Sequence, residues 1–163
     1  MRSTEDALED YLGSTALLLE RYGVVLDLGP DDALSLDESP QGSLSFALRA
    51  FLPDGHQPAL GIVEVREIWR HIEGDTYERA DYAYELLDRE RDSRRAFHRH
   101  DADVFVRRFQ VVVHEHCEHP IGHAPCAHVQ GGPVRDAFEG VMRLVDAWID
   151  PVDRLCDGRL CLE

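Results

Sequence analysis

The densest group of chemically reactive side chains in this sequence lies between positions 114 and 128. The group consists of His114, His116, Cys117, His119, His123, Cys126 and His128. Imidazole and thiolate groups are the ligands that zinc prefers, and imidazole also exchanges protons near neutral pH. The segment therefore predicts a metal site, an acid–base site, or both in one place.

A second group precedes it and consists of His98, His100 and Asp101. Because side chains alternate between the two faces of a strand, His98 and His100 are expected on one face, as are His114 and His116. If the two strands pair with His98 opposite His116 and His100 opposite His114, four imidazoles share one face. This pairing is an expectation about register, which the spacing alone does not determine.

One interpretation of the shared face is cleavage of an RNA or nucleotide phosphate. Paired imidazoles can supply the general base and the general acid that this cleavage needs, and arginines can bind the phosphate. The candidate catalytic residues are His98, His100, Asp101, His114 and His116. The candidate phosphate-binding residues are Arg94, Arg95, Arg99, Arg107 and Arg108. A solvated, mixed-charge hairpin would also account for these arginines.

A second interpretation is a zinc site formed around the loop at 120–125. Its candidate ligands are Cys117, His119, Cys126 and His128. Two cysteines and two histidines can complete a tetrahedral site. The two interpretations are compatible, because a structural zinc could hold the loop beside a catalytic histidine. The other two cysteines, Cys156 and Cys161, are expected to be small buried or tail residues.

Two known zinc motifs were compared with this segment. The zinc-protease helix begins like His114-Glu115 but needs histidine where this chain has Glu118. The zinc-deaminase signature is approached by His116-Cys117-Glu118 followed by Pro125-Cys126, but the gap is short and Val129 replaces its second cysteine. Neither motif is complete, so neither of these enzyme classes is predicted.

Hydrophobic periodicity predicts the elements that must position these residues. Apolar residues at helical spacing predict helices over about 4–22, beginning at a cap on Ser3, and over about 133–149, beginning at Pro133. Period-two alternation and short apolar runs predict five strands. Their approximate ranges are 44–52, 60–72, 77–88, 94–100 and 109–117. Short connections favour antiparallel neighbours, so we expect an α+β fold: an antiparallel sheet of about five strands with an N-terminal and a C-terminal helix packed on it.

The chain is expected to be a single domain over 1–163, which has three parts. Residues 1–41 form an acidic helix and loop, residues 43–149 the sheet and its covering helix, and residues 151–163 a tail without a clear pattern. The acidic residues outnumber the basic ones by 32 to 17, which makes the net charge −15. Such a charge repels nucleic acid unless a positive patch is focused or a partner masks the acids.

All 17 basic residues are arginines, and no lysine occurs. This excludes Schiff-base catalysis, a phosphate-loop lysine and a kinase lysine. No apolar run approaches the roughly 20 residues of a membrane span, and no signal region follows Met1. A cytoplasmic protein without membrane association is expected.

The order of these features resembles the TumE-type family of toxin-antitoxin proteins over about residues 43–149. That family has a Tyr-x-Tyr strand, an Arg-Tyr-Asp-like segment and a His-His-x-His-like stretch. The matching positions here are Tyr82 and Tyr84, then Arg99-His100-Asp101, then His114-Glu115-His116 with His119. The additional Cys117, Cys126 and His128 and the acidic N-terminal segment depart from the pattern. The resemblance implies a toxin-like protein in a two-gene module, with a protein partner encoded nearby.

Two functional hypotheses follow. The first is a toxin-like or defence-associated intracellular protein that acts on an RNA or nucleotide phosphate, either like a ribonuclease or as a metal-dependent phosphodiester hydrolase. The alternative is a zinc-stabilised module without catalysis, an antitoxin-like or adaptor subunit whose acidic segment binds a basic partner. Oligomeric state and substrate are not determined by these patterns.

Overall fold

The computed structural model describes residues 1–28, 34, 36–52, 61–99, 106–107, 112–122, 126–129, 134–149 and 161–162. Within these ranges the chain forms ten strands and two helices longer than one turn. In chain order they are β1 (Arg2–Thr4), α1 (Glu5–Arg21), β2 (Val25–Asp27), β3 (Asp37–Glu38), β4 (Leu44–Leu52), β5 (Gly61–Glu73), β6 (Thr76–Asp88), β7 (Ser93–Arg99), β8 (Val113–Glu118), β9 (Cys126–Val129), α2 (Ala137–Ile149) and β10 (Cys161–Leu162). The α+β class with an N-terminal and a C-terminal helix is confirmed.

The strands form one antiparallel sheet in which sequence neighbours pair from β4 to β10. The order across the sheet is β10, β9, β8, β7, β6, β5, β4 and β2, while β1 pairs with β6 and β3 pairs with β4. The sheet has more strands than the predicted five. The additional strands contain only two to four residues each, which is too short for the alternation by which a strand is recognised. Three of them lie in the segment predicted as helix and loop, and β10 lies in the predicted tail.

One face of the sheet carries the main core, to which both helices contribute. On β4, Phe46, Leu48 and Ala50 are buried, and they alternate with Ala47 and Arg49, which are exposed. The buried set continues across the sheet and onto α1 and α2. It includes Leu12, Leu19, Val63, Val65, Tyr82, Tyr84, Phe97, Val141 and Leu144. The two helices thus cover one face, called the covered face below, and the opposite face is called the open face.

Both helices begin at a different residue from the one predicted. Thr4, rather than Ser3, caps α1, and its hydroxyl accepts a hydrogen bond from the Ala7 N–H at 3.4 Å. The second helix begins at Ala137, where the Asp136 carboxylate accepts a hydrogen bond from the Glu139 N–H at 2.8 Å. Pro133, the predicted start, lies outside the described residues. A short polar side chain that satisfies free N–H groups sets each helix start.

A buried polar network joins both helices to the covered face. Its centre is the ion pair between Glu67 and Arg79, which are 0% and 4% exposed and whose atoms approach to 3.0 Å. The Glu67 carboxylate also accepts hydrogen bonds from Tyr11 at 3.0 Å, from Trp69 at 2.9 Å and from Tyr84. Each donor thereby compensates part of the cost of burying the carboxylate.

The other end of the network holds the residues that lead into α2. Arg79 donates hydrogen bonds to the carbonyl oxygens of Val134 at 2.6 Å and Arg135 at 2.7 Å. The Tyr82 hydroxyl accepts one from the Val134 N–H at 3.0 Å, and the Tyr11 hydroxyl accepts one from the Ala137 N–H at 2.7 Å. The network therefore connects α1, the sheet and the start of α2.

Among the described residues, neither helix combines the length and the apolar character that a membrane crossing requires.

Candidate metal centre

His98 lies on β7, and His114 and His116 lie on β8, which pairs directly with β7. His98 is opposite His114, and Ala96 is opposite His116. The predicted pairing of His98 with His116 was wrong by two residues. A slip of two residues leaves every side chain on its face, so alternation could not reveal it. Contacts between strands favour the observed register, in which Arg94 lies opposite Glu118 and forms an ion pair with it at 3.3 Å.

The observed register brings three imidazoles together on the open face. The ring centroids of His98 and His116 are 4.8 Å apart, those of His114 and His116 are 4.6 Å apart, and those of His98 and His114 are 5.8 Å apart. One nitrogen from each ring can be chosen so that all three lie within 4.8 Å of one another. The three side chains are buried, with exposures of 8%, 0% and 7% for His98, His114 and His116. We call these residues the three-histidine cluster.

Small neighbours make room for the cluster. His98 lies opposite Ala83 on β6, and His116 lies opposite Ala96 on β7. Phe97, between these positions, is buried in the core of the covered face. The alternation of β7 thus sends its large apolar residue to the helices and its histidine to the open face.

Glu85 on β6 contacts the cluster at its edge. Its carboxylate lies 3.3 Å from Nε2 of His98 and 2.7 Å from Nη2 of Arg94. Burial raises the pKa of Glu85, but the hydrogen bonds from His98 and Arg94 outweigh burial and lower the pKa to about 2. Glu85 is therefore a carboxylate at neutral pH, and it can orient the His98 ring.

This donor set fits a transition metal of the zinc type. Zinc binds imidazole nitrogens at about 2.0–2.1 Å in tetrahedral geometry, which places ligand nitrogens about 3.3 Å apart. Small rotations of the three rings would bring nitrogens that already lie within 4.8 Å to that separation. A ligating histidine commonly makes a second contact with a carboxylate, as His98 does with Glu85.

The predicted cysteine and histidine ligands are arranged differently. Cys117 follows His116 on β8, so alternation places it on the covered face, away from the cluster. His119 is exposed beyond the end of β8, and its ring nitrogen lies 3.1 Å from the Asp92 carbonyl. The backbone of β9 places Cys126 opposite Cys117, and His128 opposite Glu115. The described geometry brings together His98, His114 and His116 instead.

The four predicted phosphate-binding arginines that the structure describes lie at different places on the sheet and beyond it. Arg94, on the open face, is held by Glu85 and Glu118. Arg95, on the next position of β7, forms an ion pair with Glu115. Arg99 lies at the end of β7, opposite Tyr82, and Arg107 is exposed. His100, Asp101, Arg108 and His123 lie outside the described residues.

The tyrosines that carry the family resemblance lie on the covered face. The rings of Tyr82 and Tyr84 stack at 4.8 Å between centroids, beneath α2. A methyl group on Gly140 of α2 would overlap the Tyr84 ring. Both hydroxyls belong to the buried polar network rather than to the three-histidine cluster.

Sequence reasoning overlooked Glu85 and the Glu67–Arg79 pair. Glu67 follows Val63 and Val65 at the same period and precedes Trp69, so a charge stands at an inward position of β5. That charge is a usable signal, because a buried carboxylate needs a partner. Glu85 carries no such signal, since its contact with His98 arises only from the pairing of β6 with β7.

The fold and the cluster together define the class: an α+β protein with a single antiparallel sheet, helices on one face and three buried histidines on the other. Scans against protein-family models, curated proteins and solved structures returned no match. The TumE-type resemblance therefore stays a prediction.

Proposed function

We propose that this protein is a metal-dependent hydrolase that binds zinc through His98, His114 and His116 and cleaves a phosphate ester in a nucleotide or RNA. The observation that carries the proposal is the close approach of three buried imidazole nitrogens. Three bases of the same kind cannot neutralise one another, whereas one divalent cation can accept a lone pair from each.

The number of ligands favours catalysis. Structural zinc sites have four protein ligands, whereas catalytic sites typically have three and keep the fourth position for water. Bound zinc lowers the pKa of that water towards about 7, which generates a nucleophile at neutral pH. Attack on a phosphate ester would consume one water and break one P–O bond. A diester would release an alcohol and a phosphate monoester, and a monoester would release an alcohol and inorganic phosphate.

A cleft beside the cluster supports the same proposal. It has a volume of about 480 Å³, and Glu85 lines it on the open face. The same carboxylate contacts His98, so Glu85 links the cleft to the cluster. Clefts of about 300–1,000 Å³ are typical of sites for small molecules.

The first experiment is the metal content of untagged protein by mass spectrometry. We expect about one zinc per chain in the wild type and in His119→Ala, which removes an exposed histidine next to the same strand. His114→Ala should lose the metal. Equal zinc content in His114→Ala and the wild type would contradict the site.

The second experiment tests catalysis with metal-stripped protein. Hydrolysis of bis(4-nitrophenyl) phosphate and of a short RNA should be absent after stripping and return on addition of zinc. Activity that is unaffected by removal of the metal would contradict a metal mechanism. The histidines would then be interpreted as a general acid and a general base.

A second candidate function is supported by the burial of the histidines. His114 is 0% exposed, which suits a zinc that stabilises the fold without turnover. The protein would then be a binding module of the antitoxin or adaptor type. One zinc per chain, lower thermal stability without it and no hydrolysis of either substrate would select this alternative. A role in a toxin-antitoxin module would be tested by co-purification of a partner encoded nearby.

A further inference from the structure

A row of residues on the open face connects the three-histidine cluster to an arginine. Strand pairing places Ala47 opposite Arg66, Arg66 opposite Ala83, and Ala83 opposite His98. Neighbouring strands lie about 4.8 Å apart, so Arg66 and His98 are separated by about 10 Å along this row. Ala83 is the only residue of the row between them.

Arg66 differs from the other arginines near the cluster. It is exposed, and within the described part of the chain no carboxylate forms an ion pair with it. The alanines on both sides leave its flanks open, and all three residues line the cleft. A guanidinium group with space around it and no acidic partner is suited to binding a phosphate in bidentate fashion.

The carboxylates that line the cleft have cationic neighbours of their own. Arg49 lies 3.9 Å from Asp27 and 3.8 Å from Glu64. Glu85 is held by Arg94. These contacts reduce the repulsion that an incoming anion would meet, and Arg66 adds a second guanidinium to the lining of the cleft.

We propose that Arg66 binds a second, non-reacting phosphate of a small nucleotide whose scissile phosphate reaches the three-histidine cluster. This proposal rests on the proposed function and specifies its substrate class: a nucleoside that carries two phosphate groups. The backbones of Arg66 and His98 lie two strand spacings apart, about 10 Å, which a nucleoside with a phosphate at each end could span. The net charge of −15 opposes a long RNA, whereas a small ligand meets only the cleft.

The test is isothermal titration of the zinc-loaded protein with adenosine 3′,5′-bisphosphate. Arg66→Gln should weaken binding about tenfold, the loss expected for one charge-assisted contact. Arg70→Gln, which removes an exposed arginine of the same strand outside the cleft, should change the affinity less than about twofold. Adenosine, which lacks phosphate, should bind the wild type and Arg66→Gln equally.

Equal affinity of the wild type and Arg66→Gln for the bisphosphate, or no binding to the wild type, would overturn the inference. Failure of the proposed function is detected separately, by the zinc content and by hydrolysis of bis(4-nitrophenyl) phosphate in the same preparations. Binding that depends on Arg66 in a protein without turnover would support the phosphate site while contradicting the hydrolase. Normal turnover, together with equal bisphosphate binding by the wild type and Arg66→Gln, would support the hydrolase while contradicting the phosphate site.

Discussion

The two faces of the sheet bury ionisable side chains in opposite ways. On the covered face, Glu67 and Arg79 form an ion pair, tyrosine and tryptophan side chains donate further hydrogen bonds to Glu67, and backbone carbonyls accept hydrogen bonds from Arg79. On the open face, His98, His114 and His116 are three groups of one kind, drawn together without charge complementarity among themselves. The first arrangement pairs opposite charges within the chain and has a structural role. The second brings three imidazoles close enough together to bind a metal ion.

The difference shows that burial of charge alone does not identify a functional site. Glu67 is among the most buried polar groups of the described residues, yet its contacts are made by the elements that it joins. The three histidines are instead recognised as a candidate site by their residue type and their mutual distance. Five experiments test this difference between the two faces.

The largest loss of stability is expected for Arg79→Ala. Removal of the guanidinium leaves Glu67 buried without its cation, and breaking a buried ion pair in this way costs about 3–5 kcal/mol. Chemical denaturation would measure the loss, and Arg66→Ala, which changes an exposed arginine of β5, should stay within about 0.5 kcal/mol of the wild type. A loss below about 1 kcal/mol for Arg79→Ala would show that the network is not structural.

Zinc should stabilise the protein only while the cluster is intact. At a free zinc concentration about 100 times the dissociation constant, the free energy of unfolding should rise by about 2.7 kcal/mol. Thermal denaturation with and without zinc should show this increase in the wild type and in His71→Ala, an exposed histidine that contacts the Gly74 carbonyl. The increase should vanish in His116→Ala. The same increase in all three proteins would place the zinc elsewhere.

Glu85→Gln tests whether the carboxylate positions His98. Loss of a carboxylate that contacts a ligating histidine typically lowers metal affinity about 10- to 100-fold. Competition with a zinc chelator would measure the affinity. Glu64→Gln is the control, because Glu64 lies beside Glu85 on the open face and has no described contact with the cluster. Equal effects of the two substitutions would indicate a general charge effect.

Tyr11→Phe should have a smaller effect on the covered face. The Tyr11 hydroxyl donates to Glu67 and accepts from the Ala137 N–H, so its loss weakens the connection of α1 to α2. The expected cost is about 1 kcal/mol, and zinc binding should not change. Denaturation and chelator competition on the same variant would measure both. A change in zinc affinity would contradict the independence of the two faces.

The smallest effect is a loss of stability in alkaline solution. Burial, reinforced by nearby Glu67, raises the pKa of Tyr11 and of Tyr84. Since the unfolded chain releases these protons near pH 10 and the folded chain retains them, their contribution is complete below pH 10 and is lost as the pH rises further. At pH 10 the loss is about 0.4 kcal/mol for each tyrosine. Denaturation curves at pH 8 and pH 10 should show this loss of stability. The loss should be smaller in Tyr11→Phe, because that variant lacks one of the two tyrosines.

Much of the fold could be predicted from the sequence because its central strands are long. Buried and exposed residues alternate with period two along β4. This alternation and the hydrophobic patterns of β5 and β6 are long enough to identify the strands and their buried faces. The meander followed from short connections. The two- to four-residue strands could not be predicted, because their pairing depends on β4, β6 and β9 rather than on their own residues.

The candidate site could be predicted in part. The spacing predicted His98, His100, His114 and His116 on one face, and the structure brings three of them together; His100 lies outside the described residues. The pairing of His98 with His114 was missed, since a slip of two residues preserves every face. The assignment of roles also differs: the described geometry favours a metal at His98, His114 and His116, whereas the sequence favoured one at Cys117, His119, Cys126 and His128.

The sequence by itself determined the fold class, the faces of the long strands and the residues with chemical potential. Those properties are local, because they depend on the identity and period of neighbouring residues. Only the tertiary structure decided which histidines meet, that Glu85 contacts His98, and that Arg66 shares a row with the cluster. These properties depend on register between strands, which many contacts across the whole sheet determine together.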